Sequence, residues 1–481
     1  MARLEEDVHS SGWSTLIILS CLGLIVMFDE TMILPAIPDF IREFNISYST
    51  SSWLLSAYII SAAVMTPIGG KLSDIYGKKR ILLIVMAVYA AGIMAGRFAT
   101  NIEFMLAARV AQGVGMAMFP IAFGIIREVL PEKKLAIGQT IFSSTFSGGA
   151  VVGLIGGAAI IQNFGWPATF LAILPVTIAL WLIIVKFIRI KSPGFEKPGL
   201  EDNNSIAPDV QTIDIRGTLA LASTIISFLA GISILENNSI GNEYYVAGLF
   251  AASVASLAAF IIIEKRVHSP LLDFKIMTSK SFLLPTIILM LVFMSIFMVY
   301  LTIPVLVRSP EPLGFGGNAI AVASVQLPFM IVLLVGTILS GFILNRVKNT
   351  KLILFGTAIS TIGFFILLNF HSTENLVSIG LTMAAGLSLS ISGGFNVILL
   401  SVPIQVTGIA LGMTLLLNLV GMSLGPALSG IFQEMYKETV PRIPGFFPTD
   451  QAYSMIFTTA ALVSLASLAM SVSVSRTRIE R

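Results

Sequence analysis

Apolar residues come in long runs along the chain, and each run is closed by a short loop of polar and charged residues. A helix needs about twenty apolar residues to cross a bilayer. Fourteen stretches predict such spans: 13–37, 51–69, 80–98, 104–127, 138–162, 167–189, 214–235, 244–264, 281–307, 319–342, 351–370, 375–400, 404–431 and 452–474. Pro35, Pro67, Pro175, Pro285, Pro304, Pro328 and Pro426 lie in these runs and predict kinks or ends. The glycine- and serine-containing run 404–431 predicts an interrupted helix, so twelve spans with two misread segments is the alternative count.

The loops give the orientation. With both termini in the cytoplasm, only Arg42, Arg97, Arg308, Lys437 and Arg442 of the 29 Lys and Arg fall outside and Arg109 falls within a span, which leaves 23 inside. Basic residues collect on the cytoplasmic side of membrane proteins, so both termini are expected there, in the plasma membrane. The stretch Lys191 to Thr212, rich in Pro, Asn and charge, reads as the one clear linker. The expected division is a six-helix half over 1–190, a linker with two inserted spans over 191–280, and a second six-helix half over 281–481.

An internal repeat supports that division. GFILNRVKNTKLIL at 341–354 echoes GKLSDIYGKKRILL at 70–83, with Gly341 answering Gly70, Asn345 answering Asp74 and Lys351 answering Arg80, an offset of 271. GMSLGPALSG at 421–430 echoes AVVGLIGG at 150–157, at an offset of 273. Parallel halves with a substrate site between them at mid-membrane are a transporter architecture.

Composition narrows the class. With 11% charged and 56% hydrophobic residues the chain lacks the polar surface of a soluble domain, so the expected fold class is an all-α polytopic membrane protein. A net charge of +3, spread over the loops, gives no reason to expect a nucleic-acid partner. Cys21 stands alone, and His9, His268 and His371 are scattered, so neither a disulfide framework nor a metal site is expected. The N-terminus MARLEEDVHSSG has no small-residue cleavage site after a short apolar core, and the first run reads as an uncleaved span.

Five groups of residues could carry chemistry. In the loop GKLSDIYGKKR, 70–80, Gly70 would let a helix end pack closely and Gly77 would permit a tight turn. Asp74 could meet a neighbouring helix N-terminus, and Lys71, Lys78, Lys79 and Arg80 would hold the loop in the cytoplasm. Asp29 and Glu30 are the only adjacent acids inside the spans; an intramembrane acid faces a cavity, pairs with a cation, or lies near enough the surface to be hydrated. Arg109 keeps its charge and needs a partner, and Gln112, Gly113 and Met116 share its helical face. Arg109 and Asp29 fall at nearly one depth, so the pair is either a proton-sensitive couple or a purely structural lock. Gly149, Gly153, Gly156 and Gly157, with Gly425 and Pro426, would let helices approach backbone to backbone. Gln112, Tyr300, Gln326, Asn396 and Asn418 are the candidates for a substrate cavity. Thirty-two Phe and twenty Met would suit a compliant apolar pocket.

These motifs carry a family resemblance. The 70–80 loop resembles the G-x-L-x-D-x-x-G-[RK]-[RK]-[RK] signature of the major facilitator superfamily, and Arg109, Gln112, Gly113, Gly115 and Ala117 match its R-x-x-Q-G-x-G-x-[AG] motif. FDETMILPAIP, 28–38, is similar to the L-D-x-T-[IV]-V-N-V-A-L-P signature of the fourteen-spanner drug:proton antiporters, with Leu34 where that signature has Asn. SGGAVVGLIGGAAI, 147–160, approximates the antiporter motif G-x-x-x-G-P-x-x-G-G, with Val152 and Gly153 in place of Gly-Pro. DIRGTLAL at 214–221 and IEKRVHSPLL at 263–272 echo the same branch.

A cavity whose only ionisable groups are Asp29, Glu30 and Arg109 fits a lipophilic substrate, cationic or neutral, and a monomer is expected. The resemblance implies a proton-coupled drug exporter working by alternating access. It implies proton coupling at Asp29, Glu30 and Arg109 and a conformational latch at Gly70, Asp74, Gly77, Lys78 and Arg80. The energy source it implies is the proton gradient, with no bound cofactor; the partners are small lipophilic substrates, protons and the lipid bilayer. A transporter of one metabolite, such as an amino acid, sugar or siderophore, is the alternative. A membrane enzyme or receptor is a further one, disfavoured because no catalytic cluster, nucleophile elbow or G-x-x-x-x-G-K-[ST] cradle occurs.

Overall fold

The structure is a computed structural model that describes residues 2–188, 215–235, 242–266, 279–343, 347–402 and 407–476, without the side chains of Pro67, Lys71 and Asp74 among others. The expected linker 191–212, Asn345 of the repeat, and most of the element at 263–272 lie outside these residues.

The first half is built from α1 (Ala2–Met32), α2 (Ile37–Glu43), α3 (Tyr48–Tyr76), α4 (Lys78–Arg97), α5 (Ile102–Gly113), α6 (Met118–Val129), α7 (Glu132–Phe164) and α8 (Pro167–Phe187). Next come α9 (Ile215–Leu235) and α10 (Asn242–Glu264), which pack on each other. The remainder is α11 (Lys280–Arg308), α12 (Ala319–Ile343), α13 (Asn349–Asn369), α14 (Glu374–Ala384), α15 (Leu387–Leu400), α16 (Thr407–Met435), the strands β1 (Lys437–Val440) and β2 (Ile443–Pro448), and α17 (Asp450–Arg476).

Among the described residues thirteen helical stretches are long and apolar enough to cross a membrane, beginning with Gly12–Glu43 and ending with Asp450–Ser475. The expected span at 214–235 is helical throughout α9, with its apolar stretch at Leu219–Phe228. Outward faces are apolar rather than charged: Leu171, Val176, Ile178, Leu182, Val185 and Phe187 of α8 are all exposed. That is a surface made for hydrocarbon. This is a multi-pass membrane protein.

The prolines behave differently from one another. Pro35 sits in a 3-10 turn, Leu34–Ala36, that separates α1 from α2. Pro175, Pro285, Pro304, Pro328 and Pro426 stay inside continuous helices, contrary to the expectation that some would end them, and α16 runs unbroken through Thr407–Met435. Neighbouring helices supply the packing that keeps such helices intact in a membrane.

Helix pairing repeats across the chain. α1 packs along α7, and α11 packs along α16. Between these groups α3 meets α16 and α12 meets α7, which are the same pairing read in opposite directions. A short hairpin adds to the helical plan: β1 and β2 pair antiparallel, with Arg442 (φ 67°) in the connection and Gly445 (φ 112°) within β2.

Candidate functional site

Asp29 and Glu30 lie in the last turn of α1, just before the break at Pro35, and are 0% and 4% exposed. The hydrated-surface alternative therefore does not describe them. Arg109, also 0% exposed, comes from α5 opposite. Its Nη1 stands 4.0 Å from Asp29 Oδ2, an ion pair too long for a hydrogen bond. The guanidinium is held from other directions: Nε donates to the Leu54 carbonyl at 3.0 Å, Nη1 donates to Gln112 Oε1 at 2.6 Å, and its plane lies over the Tyr58 ring at 4.6 Å. Gln112 in turn donates Nε2 to the Gly92 carbonyl at 3.0 Å. Both ends of that amide are thus used to position Arg109, so Gln112 is a strut rather than a cavity-lining group.

What remains unpartnered is informative. Among the described residues, Oε2 of Glu30, Nη2 of Arg109 and the hydroxyls of Tyr58 and Tyr300 are buried without a hydrogen-bond partner, and the buried Asp29 carboxylate has, besides Arg109, only the Tyr89 hydroxyl of α4 beside it. Buried polar atoms are nearly always satisfied, so a cluster of orphans marks a place where a ligand, water or proton belongs. Glu30 is within electrostatic reach of Asp29, Arg109, Tyr58 and, on α11, Tyr300. The cluster therefore spans the junction between the two groups of helices.

The second-half candidates separate. Gln326 donates Nε2 to the Tyr300 carbonyl at 3.1 Å and leaves Oε1 unpartnered, so it belongs with Tyr300. Asn418 is buried with both amide atoms unpartnered. Asn396 instead donates to Asn349 Oδ1 at 2.8 Å, at the start of α13, which makes it a helix-to-helix tie away from the acid cluster.

The glycines line the two long helix pairs. A Cβ on Gly149 would lie 2.6 Å from the Leu24 carbonyl oxygen, on Gly153 2.6 Å from that of Phe28, on Gly156 3.0 Å from the Phe28 ring, and on Gly157 2.6 Å from Met32 Cα. These glycines bring α7 against the acid-bearing stretch of α1, where Thr31 donates to the Ala150 carbonyl at 3.0 Å. Gly425, followed by Pro426, plays the same part between α16 and α11, its Cβ position lying 2.5 Å from the Met294 carbonyl oxygen.

The expected loop at 70–80 is helical instead: 70–76 finish α3 and 78–80 open α4, and Gly77 between them takes φ 94°, which is why a glycine stands there. Close helix approach falls one residue earlier than expected: a Cβ on Gly69 would sit 2.6 Å from that of Ala117, whereas one on Gly70 meets only Pro120 at 3.8 Å. Lys78 donates to Glu128 at 2.5 Å and Lys79 to the Val185 carbonyl at 2.8 Å, while Arg80 is exposed. Asp74's side chain lies outside those described.

The structure adds a contact that sequence reading missed. At the opposite membrane face, Arg308 at the end of α11 grips α2: Nη1 and Nη2 reach the two oxygens of Asp39 at 2.5 and 2.7 Å, and Nη1 also donates to the Pro35 carbonyl at 2.8 Å. Arg42 reaches Asp39 as well, at 2.5 Å. Nearby, the Tyr48 backbone N–H donates to Glu434 Oε2 at 3.1 Å and its hydroxyl donates to the Phe446 carbonyl of β2 at 2.9 Å, with Lys437 paired to Glu434. This face is tied shut between the two groups of helices. The distribution of basic residues puts Arg308 and Arg42 on one side of the membrane; their shared partner, 269 residues from Arg308, carries no motif. Among the described residues no group of three or more His, Cys, Asp or Glu is placed to hold a metal ion.

Comparison with known proteins agrees with this architecture. Residues 19–426 match the Major Facilitator Superfamily. The chain is 26% identical over 426 residues to Multidrug resistance protein 3 of Bacillus subtilis, covering 86% of this chain and 78% of that protein. It is 26% identical over 450 residues to the multidrug efflux pump LfrA of Mycolicibacterium smegmatis, covering 91% and 84%. Among solved structures, a bacterial homologue of the human drug peptide transporters PepT1 and PepT2 superposes with a TM-score of 0.65 at 17% identity, covering 96% of this chain and 98% of that one. The xylose transporter XylE from E. coli, in a partially occluded inward-open conformation, gives 0.58 at 14%, covering 95% and 97%. At such identities the superpositions speak for the fold alone. With a match that runs through both groups of helices, the chain belongs to the Major Facilitator Superfamily and is a membrane transporter rather than an enzyme.

Proposed function

We propose that this transporter exports lipophilic compounds, driven by protons flowing inward, as a member of the fourteen-span drug:proton antiporter branch. In this reading it works as a monomer in the plasma membrane with both termini in the cytoplasm. Residues 1–190 and 281–481 form the two rocking halves, and 191–280 supply the linker and the inserted pair of spans. The proton gradient serves where a cofactor would otherwise be needed. The names of the relatives, a multidrug resistance protein and a multidrug efflux pump, favour drug export over a single metabolite.

The observation that carries proton coupling is the buried set of two carboxylates and one guanidinium, in which Glu30 Oε2 and Arg109 Nη2 have no hydrogen-bond partner among the described residues. Fixed charges left unpaired in a low-dielectric interior are costly, so the set gains by taking up a positive charge. A proton on one acid cancels its attraction to Arg109. Arg109 stays anchored to Leu54 and Gln112, so the change acts on α1 and, through its glycine-lined contact, on α7. Both helices adjoin the second half, α7 through α12 and the end of α1 through Pro35 and Arg308. The Asp39–Arg308 contact then closes the outer face while the Gly77 face opens, with the 70–80 segment, where α3 meets α4, as the latch on that side.

Purified protein in liposomes with an imposed pH gradient tests this reading. Flux of a lipophilic dye that follows the gradient, and is lost in Asp29→Asn or Glu30→Gln, is the expected result. Dye flux that ignores the gradient would make the protein a facilitator and end the antiport reading.

A further inference from the structure

His371 is a residue no motif marks. It follows α13 just past Asn369, and its side chain is 11% exposed. Its Nδ1 lies 2.9 Å from the Leu367 carbonyl oxygen and its Nε2 lies 2.9 Å from Asp450 Oδ1. A carbonyl and an ionised carboxylate only accept. A neutral imidazole carries one N–H and one bare lone pair, so it makes one of these bonds and turns a lone pair on the other oxygen. Only the doubly protonated ring donates to both. The Phe457 ring packs on the imidazole from α17, with centroids 5.2 Å apart.

What the two bonds join gives them consequence. Asp450 is the first residue of α17, which packs along both α13 and α11. One turn further on, the Tyr453 hydroxyl donates to Ser309 Oγ at 3.4 Å. Ser309 follows Arg308, whose guanidinium holds Asp39 across the two groups of helices. Just before Asp450, the Thr449 N–H donates to the Tyr436 carbonyl at 2.8 Å, so the hairpin hangs from the same point. The charged and titratable groups around the imidazole are Asp450 and Tyr453 on α17 and Glu374, which opens α14. The start of α17 is thus held to α13 by His371 and to the outer closure by Tyr453.

We infer that His371 is a proton sensor at the outer face: with both ring nitrogens protonated it clamps the start of α17 to the end of α13, and giving up one proton to the surrounding water releases the clamp. Histidine is the side chain that changes charge between about pH 5 and 8. The clamp is therefore whole on the acid side of that window and is lost as pH rises through it. Once released, α17 no longer steadies Tyr453 against Ser309, and the face closed by Arg308 and Asp39 parts more readily. The device is separate from the buried acids, and only its placement outside rests on the orientation proposed above.

The test follows a thiol placed under that closure. Ile37, 0% exposed between Pro35 and Asp39, is replaced by cysteine in a Cys21→Ser background, and the purified full-length protein in detergent is reacted with a maleimide. Rates are compared with those of the same protein carrying His371→Leu, which cancels the thiol's own pH dependence. The expected result is labelling about two- to fivefold slower than in His371→Leu at about pH 5, the size of effect a partly exposed ion pair supports, and equal rates by about pH 8. Asp450→Asn gives the second arm. Its amide accepts from a ring N–H or, turned over, donates to a bare ring nitrogen, so it keeps the bond in either protonation state. Protection in that variant should stay while the pH dependence goes, with melting curves showing each variant folded. A rate ratio to His371→Leu that is flat across pH, or an Asp450→Asn protein that keeps the parent's pH dependence, would overturn the inference. Should His371→Leu not fold, the parent and Asp450→Asn are compared directly: matching pH profiles overturn the inference and diverging ones support it.

Discussion

Arg109 does at least four things at once: it bonds the Leu54 carbonyl, bonds Gln112, covers Tyr58 and faces Asp29. Removing it leaves two acids buried without a cation, and breaking a buried pair from one side costs about 3–5 kcal/mol. Arg109→Met should therefore lower the melting temperature sharply as well as abolish transport, and a variant that melts like wild type would show the acids are not held by it. The glycines give a second residue-scale prediction. Gly157→Leu drives a side chain into Met32 and should cost about 1–3 kcal/mol from overpacking, with loss of transport. Gly148→Ala, whose Cβ would meet only Leu24 at an ordinary 3.5 Å, should be silent in both assays.

At this scale the acids, Arg109 and the glycine face were legible because charge and missing side chains stand out in an apolar run. Tyr58 was not, since an aromatic in such a run looks like any core or lipid-facing residue until the cation over its ring is seen. Gln112 looked like a cavity group because an amide in a span suggests a ligand; its two bonds, to Arg109 and Gly92, show it spent on positioning.

Elements show the same division. Helices were readable from run length, because the bilayer imposes one length on all of them. Their interruptions were not, because a proline's effect depends on what packs beside it: Pro35 ends α1 where Arg308 takes its carbonyl, while Pro426 leaves α16 intact against α11. The hairpin at 437–448 escaped notice because it is too short to leave a pattern in a loop. The grip of Arg308 on Asp39 makes a prediction here. Asp39→Asn and Arg308→Gln should each raise the reactivity of a cysteine introduced nearby toward an impermeant reagent, and the reversed pair Asp39→Arg with Arg308→Asp should restore protection. A double-mutant cycle on reagent protection should give a coupling of about 0.5–3 kcal/mol; additive effects would mean the contact does not hold that face closed.

For the whole molecule, the repeat at 70–83 and 341–354 was readable because two halves of one fold keep the same turn chemistry. How they meet was not: the pairing of α3 with α16 and of α7 with α12 depends on apolar surfaces that no motif marks. Alternating access requires those surfaces to rock and the Asp39 face to part. In a Cys21→Ser background, cysteines at 39 and 308 joined by a short bifunctional reagent should stop transport, and cleaving the link should restore it. Continued transport by the linked protein would place the moving parts elsewhere.

The central claim is that protons moving inward through the buried acids drive export. The most direct measurement is proton movement evoked by substrate in liposomes loaded with a pH indicator, with no pH gradient imposed at the start. An outward-directed gradient of a lipophilic cation should drive protons inward in wild type, and not in Asp29→Asn or Glu30→Gln. Substrate crossing the membrane with no accompanying proton would contradict the account.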